Sequence, residues 1–144
     1  MHALTPERTL TDLDHVRLLN LLQRNGRAAS VGARADPSAG AVRDILDTAF
    51  LVGPREVAPD VVTMHSQVLI AHLPARRRRT LIVCYPQDAR PADGFVSVLS
   101  PVGSALLGLR AGDVAQWRTP DGECESAEVL AVLFQPEAHG DGSS

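Results

Sequence analysis

The chain has 144 residues, of which 44% are hydrophobic, 22% are charged and only 3% are aromatic, and its net charge is −3. This length fits one medium domain or two small ones whose core is built from aliphatic side chains. The negative balance argues against direct binding of DNA or RNA as the main activity, because proteins that bind phosphate backbones usually carry net positive charge.

The N-terminal third predicts two amphipathic helices. Apolar residues recur at helical spacing over residues 10–25, and Thr11 is placed to cap the first turn. A second apolar face runs from about residue 38 to Gly53. The segment 26–40 between them is expected to be a loop, although its alanines could also extend either helix. Together the helices predict a short antiparallel hairpin, or coiled coil, over residues 1–53.

After a linker at 54–60, the apolar pattern changes to the alternation typical of strands. Strands are expected at 61–73, 79–85, 95–99, 113–119 and 127–134. One short helix is expected between the third and fourth strands, and residues 137–144 are expected to be a frayed tail. This pattern predicts an α+β fold in which a twisted antiparallel sheet packs on a helix.

The stretch LSPVGSALLGLRAGD (99–113) contains the signals of that short helix. Ser100 is a good N-cap and Pro101 suits the first helical position. Gly108 is expected to end the helix in a left-handed conformation, with Leu109 making the apolar contact of a Schellman-type stop. The glycines do not form a phosphate-binding loop, because no lysine follows the second one.

The remaining residue types offer little chemistry. Cys84 and Cys124 lack metal-type spacing, and the first lies in an apolar run where a thiol is usually buried. The five histidines form no recognisable ligand motif. We therefore expect no catalytic residue, metal or cofactor. The first residues do not follow a secretory signal pattern and no apolar run is long enough to span a bilayer, so a cytoplasmic location without membrane association is expected.

Several segments in order resemble a known family. LSPVGSALLGLRAGD, the following Trp, TPDGE and VLAVLF resemble the C-terminal domain of the bacterial Gre transcript cleavage factors. LTDLDHVRLLNLL and APDVVTMHSQV add a closer resemblance to the regulator of nucleoside diphosphate kinase (Rnk) family, which is Gre-like with a shortened N-terminal hairpin. The resemblance covers nearly the whole chain and is specific as an ordered set of motifs.

This resemblance implies an FKBP-like fold over residues 61–136, a curved antiparallel sheet around one short helix, without isomerase activity. It also implies a non-enzymatic transcription regulator that docks on RNA polymerase at the rim of the secondary channel. The expected contact residues are those at the start of the short helix, where free N–H groups can receive a partner's carbonyl or acidic groups. They are Ser100, Pro101, Val102 and Gly103.

In Gre factors, acidic residues at the tip of a long hairpin help to hold a magnesium ion in the polymerase active site. The loop of this chain contains one acid, Asp36, while Asp44 and Asp47 fall on the second helix. The predicted hairpin reaches only about 20 Å. Stimulation of transcript cleavage is therefore not expected, and a solvated loop acid is the alternative for Asp36.

Four consecutive arginines lie between two predicted strands and allow two interpretations: Arg76, Arg77, Arg78 and Arg79. They could form a solvated turn, or they could contact acidic groups of the polymerase or nucleic-acid phosphate within the transcription complex.

Two other functions stay open, namely a regulatory module acting on a metabolic enzyme such as nucleoside diphosphate kinase, and a weak FKBP-like prolyl isomerase. The sequence does not determine the oligomeric state.

Overall fold

The computed structural model describes residues 7–29, 37–119 and 121–139. The three α-helices of these residues are α1 (Asp12–Ala29), α2 (Pro37–Thr48) and α3 (Pro101–Leu106). Their strands are β1 (Thr9–Thr11), β2 (Phe50–Val52), β3 (Gln67–Leu73), β4 (Arg77–Cys84), β5 (Phe95–Ser97), β6 (Val114–Arg118) and β7 (Cys124–Phe134). The α+β class predicted from the sequence is confirmed.

Helix α1 begins where its cap predicts and ends later than its stop signal. Thr11 Oγ1 accepts a hydrogen bond from the Asp14 N–H at 3.1 Å, which confirms the predicted cap. The helix passes Asn25 and Gly26 and ends at Ala29, so the alternative in which alanines extend a helix is correct. Helices α1 and α2 pack against each other. Asp36 lies outside the described residues.

Five strands form the main sheet in the order β5-β4-β3-β7-β6. The pairs β3–β4, β3–β7 and β6–β7 are antiparallel, as predicted. The prediction of a wholly antiparallel sheet is wrong at its edge, because β4 and β5 are parallel. After β4, the chain passes through two short 3-10 turns, Pro86–Asp88 and Pro91–Asp93. These turns bring Phe95, the first residue of β5, beside Ile82 of β4, so β5 runs in the same direction as β4.

The single strand predicted over 61–73 is wrong in its first half, because β3 starts only at Gln67. Upstream, the Thr63 N–H donates to Ser66 Oγ at 2.9 Å and His65 has a left-handed φ of 68°. This turn interrupts the extended chain before the sheet begins. The preceding Val62 N–H instead donates to Leu109 O at 2.8 Å, beside α3.

Strands β1 and β2 form a separate parallel pair that the sequence did not predict. Each has three residues, which is too short to produce a recognisable alternation. The pair joins the segment before α1 to the segment after α2. Both helices are therefore tied to each other at their base.

One hydrophobic core joins the helices to the sheet. It includes Leu18 and Leu22 of α1, Val42 and Leu46 of α2, and Leu106 of α3, together with the inner face of the sheet. The sheet contributes Val68, Ile70, Leu81, Val83, Ala115, Ala127 and Val129. Cys84 is 1% exposed, as its apolar run predicts. No helix in the described ranges has the length and apolar character needed to cross a membrane.

Candidate partner-binding corner

The Ser-Pro corner, which we define as Ser100–Gly103, connects β5 to α3. Ser100 has an extended backbone, and its Oγ accepts a hydrogen bond from the Gly103 N–H at 3.1 Å. The same hydroxyl donates to Ser97 O at 2.6 Å, and Pro101 is the first residue of the helix. The predicted cap and helix start are confirmed. Because the Ser100 hydroxyl bonds both Ser97 O and the Gly103 N–H, it fixes the end of β5 to the first turn of α3 and makes the corner a rigid turn.

The four expected contact residues differ in exposure. Pro101 is exposed, Ser100 and Val102 are half-buried, and Gly103 is buried. A Cβ on Gly103 would collide with the carbonyl oxygen of Ser97 and lie 2.8 Å from its carbon. Gly103 therefore lets α3 pack closely on the end of β5, and the surface of the corner is supplied by the other three residues.

The other end of α3 is capped by a residue that the sequence did not reveal. Arg8 Nη1 donates to three carbonyl oxygens there: Ser104 O at 3.1 Å, Ala105 O at 3.0 Å and Leu107 O at 2.7 Å. Burial lowers the pKa of the guanidinium, while the charge of Asp113 acts in the opposite direction. A cation at a helix C-terminus satisfies carbonyls that have no partner within the helix.

Gly108 has a φ of 81°, which confirms the predicted left-handed conformation. The Schellman-type stop is wrong, however, because the Gly108 N–H donates to Val62 O at 2.8 Å and not back to the helix. Its own carbonyl oxygen accepts from the Thr9 N–H at 3.0 Å. The end of α3 is thus held by two distant segments of the chain.

A buried carboxylate ties α1 to the turn before β3. Asp14 is only 4% exposed, and its Oδ2 accepts a hydrogen bond from the Met64 N–H at 3.1 Å. Burial raises the pKa of this carboxyl to about 6, although the hydrogen bond from Met64 acts in the opposite direction. Nearby, burial raises the pKa of the Tyr85 hydroxyl to about 12. No sequence motif pointed to this junction.

The raised pKa of Asp14 predicts a pH-dependent stability. An aspartate whose pKa is about 3.9 in the unfolded chain and higher in the folded chain binds its proton more tightly when the protein is folded. Its contribution to the free energy of unfolding is therefore fully present below pH 4 and is lost as pH rises through the folded pKa. Asp14→Asn is therefore expected to stabilise the protein by about 2 kcal/mol at pH 8 and by little at pH 4. Urea unfolding at both pH values measures this difference.

The matched control for Asp14 is Asp12→Asn, which removes the same charge at an exposed position of α1. It is expected to change the difference between pH 4 and pH 8 much less than Asp14→Asn does. A stabilisation by Asp14→Asn that is the same at both pH values would contradict the assignment.

The arginine run lies partly in a turn and partly in a strand. Arg76 is in the turn between β3 and β4, and its side chain bonds Glu128 Oε1 at 3.4 Å. Arg77, Arg78 and Arg79 belong to β4, which begins two residues earlier than predicted, and all are exposed. Of the four arginines, only Arg76 therefore lies in the turn.

Asp44 and Asp47 are exposed on α2. Throughout the part of the chain that the structure describes, no three His, Cys, Asp or Glu side chains are grouped closely enough to hold a metal ion.

Comparison with known proteins identifies the family. Residues 57–134 match the model described as "Transcription elongation factor, GreA/GreB, C-term". This chain belongs to the GreA/GreB family. The GreA/GreB match contains the Ser-Pro corner and the arginine run, whereas Arg8 and Asp14 precede it.

Individual relatives agree with this assignment. The "Regulator of nucleoside diphosphate kinase" of Escherichia coli strain K12 is 38% identical over 136 residues, covering 94% of this chain and 96% of the relative. GreA of Geobacillus kaustophilus strain HTA426 is 30% identical over 91 residues, covering 63% of this chain and 57% of that protein. A solved GreA/GreB structure from Nitrosomonas europaea superposes with a TM-score of 0.70 at 32% identity, covering 90% of this chain and 99% of that one. The predicted resemblance to this family and to its Rnk members is confirmed.

Proposed function

We propose that this protein is a non-enzymatic transcription regulator that binds RNA polymerase at the rim of the secondary channel. The observation that carries the proposal is the Ser-Pro corner, which is rigid, exposed at Pro101 and contained in the segment that matches the GreA/GreB C-terminal family. The relatives named transcription elongation factors support a role in transcription. Ser100, Pro101 and Val102 would form the contact, while Gly103 would maintain its shape.

The proposal assigns a role to each part of the chain. Residues 61–136 would form the FKBP-like docking domain, 54–60 a linker and 1–53 a helical hairpin. The tail expected over 137–144 is wrong at its start, because Glu137–His139 form a 3-10 turn and Glu137 Oε1 accepts a hydrogen bond from the Thr63 hydroxyl at 2.7 Å. An 18-residue helix such as α1 extends about 27 Å. We propose that this short arm obstructs the channel without stimulating transcript cleavage, so that Asp36 is not a magnesium ligand. Such a regulator would work in the cytoplasm.

The proposal predicts that a charge placed on the corner blocks binding. Pro101→Glu adds an acidic side chain at an exposed first helical position, where it would repel the carbonyl or acidic groups expected to dock there and where folding should tolerate it. We expect fluorescence titration with core RNA polymerase to show at least about a ten-fold loss of affinity, equivalent to about 1.4 kcal/mol. The matched control is Pro91→Glu, since Pro91 is also exposed and starts a short helical turn.

Wild-type binding that a longer GreA-type factor displaces would support the location at the channel. Absence of binding at micromolar protein, or equal affinity of the Pro101→Glu and Pro91→Glu variants, would overturn the proposed contact.

A second candidate function rests on the printed name of the Escherichia coli relative, a regulator of nucleoside diphosphate kinase. In this case the chain would bind a metabolic enzyme instead of the polymerase. Titration with nucleoside diphosphate kinase under the same conditions separates the two proposals, because only the second predicts binding to that enzyme. A protease-coupled assay on a proline peptide, expected to show background rates only, tests the isomerase alternative.

A further inference from the structure

The alternation of β4 divides the arginine run between the two faces of the sheet. Arg79 pairs with Ile70 and Arg77 pairs with His72 in the antiparallel ladder with β3. Directly opposed residues share a face, and so do residues two apart in one strand. Ile70 is fully buried in the core that the sheet shares with α3, so Arg77 and Arg79 lie on the core-facing side of the sheet, beyond the edge of the core.

Arg78 pairs with Ala71, whose partner on the other side is Glu128 of β7. It therefore lies on the opposite face. Arg76, in the adjoining turn, bonds the same Glu128 at 3.4 Å. On the outer face, the Glu128 carboxylate therefore lies near both Arg76 and Arg78.

The inner pair has no such partner. Both side chains are exposed, and within the described ranges neither guanidinium forms a hydrogen bond or an ion pair. Beside them, the rings of His72 and Trp117 meet edge to face with centroids 6.0 Å apart. This surface, the inner arginine face, therefore combines two unpaired cations with an aromatic edge. Glu125, opposite Trp117, is the acid paired in register on the same face.

We infer that the inner arginine face (His72, Arg77, Arg79 and Trp117) binds an acidic segment of a protein partner. This inference rests on the proposed function and makes that segment part of the polymerase. Guanidinium groups bind carboxylates in a bidentate manner, and an aromatic edge suits the apolar side chains between them. An acidic protein segment is favoured over nucleic acid because two arginines would neutralise only two phosphates, and this chain carries a net charge of −3 where proteins that bind phosphate backbones usually carry net positive charge.

Two double variants with the same change in net charge provide the test. Arg77→Glu/Arg79→Glu reverses the inner pair, and Arg76→Glu/Arg78→Glu reverses the outer pair. Titration with core polymerase free of nucleic acid, at 50 and 300 mM salt, is expected to show at least about a ten-fold loss for the inner variant at low salt. The outer variant is expected to lose less than about three-fold, and high salt should reduce the difference.

Thermal unfolding checks that both variants fold, and Arg77→Gln/Arg79→Gln replaces the inner variant if charge reversal prevents folding. Equal losses for the two pairs would overturn the inference, since overall charge would then explain them. The inference would also be overturned if the inner variant bound polymerase as tightly as the wild type does. This includes the result in which the inner variant weakens only the binding of a single-stranded RNA oligonucleotide. No polymerase binding by the wild type would instead defeat the proposed function itself, and the inference with it.

Discussion

Gly103→Ala is expected to lower the free energy of unfolding by about 3 kcal/mol or more. The new methyl group would collide with the Ser97 carbonyl, which is backbone and cannot rotate away. Displacing that carbonyl would also break its bonds from the Ser100 N–H at 2.9 Å and the Ser100 hydroxyl at 2.6 Å. Urea unfolding measures the stability, and titration with polymerase below the unfolding midpoint is expected to show weakened binding.

Gly112→Ala is the matched control. Gly112 has a φ of 99° with no atom within 4 Å of an added Cβ, so this variant carries backbone strain but no collision. We expect it to cost about 1 kcal/mol and to leave polymerase binding unchanged. Comparable losses of stability in the two variants would show that Gly103 is not held in the tight packing described above.

Arg8→Met is expected to destabilise the fold by about 2–4 kcal/mol. The substitution keeps an apolar stem but leaves three carbonyl oxygens at the end of α3 without their donor. Unsatisfied buried acceptors are costly because water cannot easily replace the lost bond. The loss should appear in urea unfolding, and hydrogen exchange should show earlier opening of α3 than of the central strands.

Two variants define the cause of that loss. Arg8→Lys keeps a cation but not the guanidinium geometry, and its stability should lie between those of the wild type and Arg8→Met. Glu7→Ala alters the exposed neighbouring residue and should be neutral. If Arg8→Met proved as stable as Glu7→Ala, the cap would contribute nothing to the fold.

The sequence predicted the features that local chemistry determines. The cap at Ser100, the helix start at Pro101 and the left-handed Gly108 each depend on residues a few positions apart, and each is confirmed. The burial of Cys84 follows from its apolar neighbours in the same way. Apolar alternation also located the β4 and β7 strands, although it shifted their ends.

Features that depend on distant contacts were not predictable. Arg8 caps carbonyls 96 to 99 residues away, and no local pattern distinguishes it from an ordinary surface arginine. The Asp14 carboxylate accepts a hydrogen bond from a backbone group 50 residues away, which no pattern around Asp14 indicates. The parallel β4–β5 pair depends on the path of the intervening turns.

Gly103 shows what the structure adds to the candidate site. The motif placed it among the contact residues, but its backbone packing against Ser97 makes it a buried support for them. Only the structure separates surface residues of the corner from the residue that shapes it. For the arginine run, strand alternation similarly separated side chains that the sequence presents as equivalent.

The segment just before α1 has a mechanical consequence. The Arg8 side chain donates to a carbonyl oxygen at the end of α3, and the Arg8 carbonyl oxygen accepts a hydrogen bond from the Phe50 N–H at 2.9 Å. The next residue, Thr9, donates its N–H to the Gly108 carbonyl oxygen. Helix α1 starts only three residues further on, at Asp12. The N-terminus of α1 is therefore fixed to α3, the short helix that presents Pro101, by hydrogen bonds and not by a flexible linker. A partner that binds Pro101 therefore also determines the orientation of α1.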